Sequence, residues 1–256
     1  MGVKVKLNRS SIYNKKLLLL AIYLAITTIA VVAVWNRAAR EKEVGIETFC
    51  DATIKYCVEQ KCQIPFKRVK SGILNAYEFF EKLGYTGKYP VNIVFQPKVS
   101  VSWGDGNDKT ELRVLGKYDE DEKTIYLTCW GEKWLDGRND FKLDMTDEFY
   151  QSIVAHEMIH FLLNRYAKRK VNTILSEYVA YSGQLEILPE ETIKVLAETY
   201  RLDAFEENDI DEYTLEADPG TFGVKSYLHF KSTGGSLVKR IIAGTFEETP
   251  RMWPPY

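Results

Sequence analysis

From Ile153 to Leu163 the chain reads IVAHEMIHFLL, where His156, Glu157 and His160 are the only polar residues. Ahead of this run Thr146 is a good helix N-cap, and Asp147 and Glu148 suit the positive N-terminal end of a helix. The spacing predicts one helix through FYQSIVAHEMIHFLLNRYAK. Such a helix is apolar on every face except at the polar triple, so the fold has to bury it everywhere else. Two imidazoles and a carboxylate are costly to bury in those surroundings without a partner or a metal.

His156-Glu157-Met158-Ile159-His160 is an H-E-x-x-H sequence, and positions i and i+4 lie on one face of a helix. His156 and His160 can therefore offer two imidazole nitrogens to one Zn²⁺, while Glu157 beside that face can take a proton from water. The bland alternative is two histidines hydrogen-bonded in the core. It is weakened by the fact that two of only three histidines in the chain fall in the motif. Catalytic zinc takes three protein ligands and leaves a position for water, so a third ligand is required. Glu177, 17 residues after His160, lies among Ile174, Leu175, Val179 and Ala180 on a helix read over 172–187. That helix follows the basic turn AKRKVN and can pack antiparallel to the motif helix, bringing Glu177 over the histidine pair. Glu186 is the alternative, about 13 Å further along at ~1.5 Å per residue, and Glu177 is favoured.

The rest of the body reads as α+β. Residues 45–85 are expected to be helical, with IETFCDATIKYCVE showing apolar residues at helical spacing and SGILNAYEFFEKLGY running from a Ser71 cap to Gly84. Strands follow at VNIVFQ (91–96), ELRVLGKY (111–118) and TIYLTCW (124–130), with a Gly-rich turn at 103–109 and an acidic turn, DEDE, between the last two. After the two helices already described, a third covers roughly 190–201. An exposed acidic loop, DAFEENDIDEYTLEADPG, comes next, and shorter helices near 221–231 and 236–243 are separated by Gly234 and Gly235. No repeat or Pro/Ser-rich linker divides residues 45–256, which are read as one domain.

Over about residues 111 to 243 the chain resembles the gluzincin metallopeptidases, in which H-E-x-x-H on one helix is completed by a Glu on the next. The resemblance is carried by residues 156–160 and by Ser-Glu-Tyr-Val-Ala-Tyr at 176–181, similar to the family's glutamate helix. It extends to the strand pair ahead of the motif helix, similar to the family's edge-strand arrangement, and to Phe222–Phe246, similar to the C-terminal helices of peptidase-MA-like members. The resemblance implies a zincin-like domain in which His156, His160 and Glu177 hold Zn²⁺ and Glu157 is the general base. For the donor that stabilises the tetrahedral oxyanion, the candidates are Tyr227, His229, Tyr178 and Tyr181, with Phe222 near the expected place. Metzincins are a poorer match, since their pattern needs a glycine and a histidine where this chain has Leu163 and Tyr166.

Leu17 to Trp35 is 19 residues without a charge, enough for a helix to span roughly 28 Å. It reads as an uncleaved transmembrane signal anchor in preference to a cleaved signal peptide, whose apolar region is shorter. Five positive charges precede the span and three follow it, the latter mixed with Glu41 and Glu43. Residues 1–16 are therefore expected in the cytoplasm as a basic tail, and residues 45–256 outside it. Residues 1–40 hold seven Lys or Arg and no acid, leaving 27 basic against 36 acidic residues, a net charge of −9, in residues 41–256. So acidic a body argues against a nucleic-acid partner. Cys50, Cys57, Cys62 and Cys129 are an even set that two disulfides would use up in an oxidising compartment. A four-cysteine zinc site is the weaker rival, for want of a C-x-x-C pair, and reduced buried thiols are the remaining one.

The leading expectation is a membrane-anchored zinc metallopeptidase acting on peptide or protein substrates. The alternative from another class is a non-catalytic membrane-anchored binding or structural protein that keeps the zincin fold, and a third is a zinc hydrolase of non-peptide amides. Glu157 discriminates against the second, because a pseudoenzyme commonly lacks the base.

Overall fold

The computed structural model of the chain describes residues 42–49, 52–59, 66–103, 110–129, 139–207 and 210–246. The basic tail expected at 1–16, the anchor expected at 17–35, most of the Gly-rich turn expected at 103–109 and the side chains of Cys50, Cys57 and Cys62 lie outside the described residues. Among those described, no helix is long and apolar enough to cross a membrane.

Strands β1 (Lys42–Phe49) and β2 (Ala52–Glu59) come first, followed by helix α1 (Phe66–Lys82). Then come β3 (Val91–Gln96), β4 (Val99–Trp103), β5 (Thr110–Val114), β6 (Gly116–Asp119) and β7 (Thr124–Thr128). The remainder is helical: α2 (Asp147–Tyr166), α3 (Thr173–Glu186), α4 (Glu190–Tyr200), α5 (Glu212–Ala217), α6 (Pro219–Thr233) and α7 (Ser236–Ala243). The chain is thus α+β. A five-stranded sheet has the order β1-β2-β3-β7-β6, and β4 and β5 form a separate antiparallel pair. Within the larger sheet β2, β3 and β7 run parallel, while β6 joins β7 antiparallel and forms one edge. The alternation of β3, with Val91, Ile93 and Phe95 buried, is matched in register by Ile125 and Leu127 of β7. These five side chains belong to a single core shared with the helices.

In the segment IETFCDATIKYCVE at 46–59, expected to be helical, the described residues 46–49 and 52–59 are strand instead. In ATIKYCVE the residues Ile54, Tyr56 and Val58 alternate with polar or small neighbours, and β-branched and aromatic residues favour a pleated surface. In so short a window that spacing also fits a helical face. The parallel pairing of Ile54–Val58 with Val91–Phe95 decides between them. Helix α1 starts at Phe66, not at Ser71, whose hydroxyl donates to the Lys67 carbonyl inside the helix at 3.0 Å. ELRVLGKY, expected as one strand, breaks at Leu115 into β5 and β6, which belong to different sheets. Strand β4 was not anticipated. The acidic loop holds α5, whose first turn is capped by Asp211 accepting from Thr214 N at 2.8 Å. The caps expected elsewhere are present: Thr146 accepts from Phe149 N at the start of α2, and Asn172 does the same for Leu175 N at α3.

Helix α2 lies against β6 and β7 and packs on α1 and α3, and 13 of its 20 residues are buried, including His156 and Glu157. Its approach to α1 is close at Gly72. A side chain there would bring Cβ to 2.6 Å from the Gln151 carbonyl oxygen and 2.7 Å from Val154 Cβ. Backbone cannot yield as the tip of a side chain does. Gly72→Ala is therefore expected to lower stability by roughly 1–3 kcal/mol, the usual range for overpacking. Thermal denaturation checks this, and an unchanged midpoint would mean that the helices are not so closely apposed.

Candidate metal centre

Helices α2 and α3 bring three side chains of the sequence reading to one point. His156 Nε2 and His160 Nε2 lie 3.1 Å apart, and Glu177 places one carboxylate oxygen 3.2 Å from the first and the other 3.4 Å from the second. One ligand atom from each can be chosen so that all lie within 4.8 Å of one another. Glu186, the alternative third ligand, is held elsewhere by Lys231 Nζ at 3.0 Å and Lys82 Nζ at 4.0 Å.

The donor set fits zinc. Ligand atoms about 2.0–2.1 Å from a tetrahedral ion lie roughly 3.3 Å from each other, by the geometry of the tetrahedron. The nitrogens at 3.1 Å are near that value, while each imidazole has a different Glu177 oxygen nearest it, at 3.2 and 3.4 Å. Two nitrogens and a carboxylate are also the ligand types that catalytic zinc uses. Burial works against the charged imidazolium of His156, but the hydrogen bond and charge of Glu177 outweigh it and push its pKa up to about 9. Burial likewise works against the Glu177 carboxylate, yet the two imidazoles hold it well below the usual carboxylate range. The two shifts are the two sides of one imidazolium–carboxylate attraction.

Glu157 sits beside the triad, buried, with its carboxylate against edge strand β6. Gly116 makes the room: a Cβ there would lie 2.7 Å from Glu157 Cγ and 2.8 Å from Oε1. Burial raises the pKa of Glu157, against the pull of His156 and His160 and of a hydrogen bond from the Tyr118 backbone.

The four candidates for an oxyanion donor separate. Tyr178, wholly buried, has its hydroxyl 2.7 Å from His229 Nδ1, so these two satisfy each other between α3 and α6. Tyr227 lies under Lys231 Nζ, 5.8 Å from its ring centre. Only Tyr181 adjoins the triad, its ring 4.7 Å from that of His156 and its hydroxyl donating to Asp140 Oδ2 at 2.7 Å. Phe222 also packs against the Tyr181 ring.

Several residues around the site went unnoticed in the sequence. Gln184 Oε1 is 2.8 Å from His156 Nδ1, and Ser176 Oγ is 2.7 Å from His160 Nδ1. Gln184 follows Glu177 by seven residues and Tyr181 by three, so a shared helical face was the available signal. Ser152 stands one turn before His156 on the same grounds. Asp140 had no such signal, because it comes from a loop that Asn139 braces by accepting from Phe141 N and Leu143 N.

Residues 58–249 match the model of a family of unknown function, DUF6639, and the chain belongs to that family. No curated protein and no solved structure matches it.

Tyr178→Phe removes the partner of a buried imidazole nitrogen and is expected to cost roughly 1–3 kcal/mol. Denaturant unfolding measures this, and a variant as stable as the parent would mean that the Tyr178–His229 bond is not made.

Proposed function

We propose that the chain is a zinc-dependent metallopeptidase of the gluzincin type, with a zincin-like fold. In this reading it is held at a membrane by Leu17–Trp35, with residues 1–16 cytoplasmic and the domain on the other side. The observation that carries the reading is the convergence of His156, His160 and Glu177 on one point, with Glu157 buried beside them. The uncharged run and its basic flank support the anchor. The buried position of Cys129 is compatible with disulfides among the four cysteines.

His156, His160 and Glu177 would hold the zinc, which when bound supplies Lewis-acid activation of water and of the scissile carbonyl. Glu157 accepts a proton from the attacking water and passes it to the leaving amine. Its neighbours suit that shuttle: Gly116 leaves the carboxylate space against β6, and the Tyr118 backbone holds its direction. Of the four candidate donors Tyr181 is the one beside the triad, its ring 4.7 Å from that of His156; to donate to developing charge its hydroxyl has to release Asp140 Oδ2, which holds its proton at 2.7 Å. As the edge of the sheet, β6 offers main-chain groups to an extended peptide.

The test is peptide-library cleavage by the parent and by Glu157→Gln, with zinc content measured in both. The variant is expected to keep its zinc and lose turnover by about 10²–10⁴-fold, the usual worth of a general base. Equal cleavage by both would put the base elsewhere. A zinc-loaded parent that cleaves nothing would leave the non-catalytic, membrane-anchored reading.

A further inference from the structure

One carboxylate beside the triad has no part in ligation or proton transfer. Tyr181 lays its ring against that of His156, centroids 4.7 Å apart, and its hydroxyl donates to Asp140 Oδ2 at 2.7 Å. Through that one tyrosine, Oδ2 lies no more than roughly 10 Å from the centre of the His156 ring, the span of about three extended residues. The backbone around Asp140 is pinned. Tyr200 donates its hydroxyl to the Asp140 carbonyl oxygen at 3.1 Å, and the Asn139 side chain accepts from Phe141 N at 3.2 Å. The buried Phe141 ring stands edge-on to Tyr181. Gly220 closes on the same Asp140 carbonyl, so tightly that a side chain there would collide with it.

Held in this way, the carboxylate still meets solvent. Asp140 is exposed, and Tyr181 is the one hydrogen-bond partner of its side chain among the described residues, which leaves Oδ1 open. Burial nonetheless raises its pKa, against the Tyr181 hydrogen bond and the charge of His156. A group both accessible and crowded lines a recess. The carboxylates of Glu177 and Asp218 repel its charge, and among the described residues no lysine or arginine pairs with it. A fixed carboxylate with an open oxygen and acidic neighbours is complementary to a cation that can also donate hydrogen bonds.

We propose that Asp140 determines specificity by binding an ammonium group of the substrate, carried within a residue or two of the scissile bond. The proposal rests on the metallopeptidase reading, and it names the substrate class: peptides with a free α-ammonium or a lysine side chain at that reach. Acidic groups there would meet Asp140, Glu177 and Asp218 and are disfavoured. Tyr181 keeps Oδ2 while the ammonium takes Oδ1, so the two contacts do not compete.

The test uses zinc-loaded, full-length protein and three metal-directed probes, with dissociation constants measured by calorimetry and zinc content measured alongside. Nα-acetyl-leucine hydroxamate carries no cation, leucine hydroxamate carries an α-ammonium, and Nα-acetyl-lysine hydroxamate carries a side-chain ammonium. At least one of the charged probes is expected to bind the parent about 10–100-fold more tightly than the neutral one, the worth of a hydrogen bond to a charged group. Which one does so identifies the source. Asp140→Asn, whose side-chain oxygen can still accept from Tyr181, is expected to lose that preference and keep the parental affinity for the neutral probe. Tyr181→Phe, which leaves both Asp140 oxygens open, is expected to retain the preference. Equal binding of all three probes by the zinc-loaded parent overturns the proposal alone, as does a preference that survives in Asp140→Asn. So does Tyr181→Phe losing the preference as fully as Asp140→Asn, since Asp140 would then act only by holding the tyrosine. Should Asp140→Asn fail to fold, the parent and Tyr181→Phe comparisons still decide. A folded parent that takes up no zinc brings down the metallopeptidase reading and the proposal with it.

Discussion

Two imidazoles and a carboxylate meet across the α2–α3 interface in a place where nearly everything else is apolar. Met158, Ile159, Phe161, Leu162, Tyr178, Val179 and Ala180, all on the same two helices, are essentially inaccessible to water. Ionisable groups in such surroundings have to compensate one another or hold a cation. Here they compensate one another and could also hold a metal ion. The nearest atoms of His156, His160 and Glu177 stand 3.1–3.4 Å apart, pairwise, and each imidazole–carboxylate contact favours the charged form of both partners. Packing on both sides of α2 fixes those positions, so the character of the site follows from how the helix is buried.

The surrounding elements serve that burial and shape what the site can do. Helix α1 covers one flank of α2 and can do so only because Gly72 lets the backbones approach. On another flank the edge strand β6 meets Glu157 through Gly116. Helix α3 contributes three positions from one face, Glu177 to the triad, Tyr181 against the His156 ring and Gln184 to its far nitrogen.

The sequence made the helical half of the fold and the triad legible, for a physical reason. Apolar spacing and side-chain caps are local, and Thr146 and Asn172 cap α2 and α3 as their residue types suggest. Glu177 could be placed over the histidines because a short turn between two helices leaves them few ways to pack. The N-terminal strands were not legible, since Ile54, Tyr56 and Val58 fit either period and only pairing with β3 settles the matter. The division of 111–118 between two sheets is likewise a tertiary outcome, as is the arrival of Asp140 from a loop. Of the four candidate oxyanion donors, chain position could not tell Tyr181 from Tyr178, three residues earlier. The helical phase does, turning the first toward His156 and the second toward His229.

The central claim is that the triad is a zinc site built from nitrogen and oxygen. Zinc-edge X-ray absorption on the full-length protein, after equilibration with zinc and removal of the excess, tests it directly. The account predicts a first shell of two imidazole nitrogens and carboxylate or water oxygen at about 2.0–2.1 Å, with the imidazole signature lost in His156→Ala. A first shell of sulfur at about 2.3 Å would assign the metal to the cysteines, and a folded protein that takes up no zinc would leave the triad as a hydrogen-bonded cluster; either result contradicts the account.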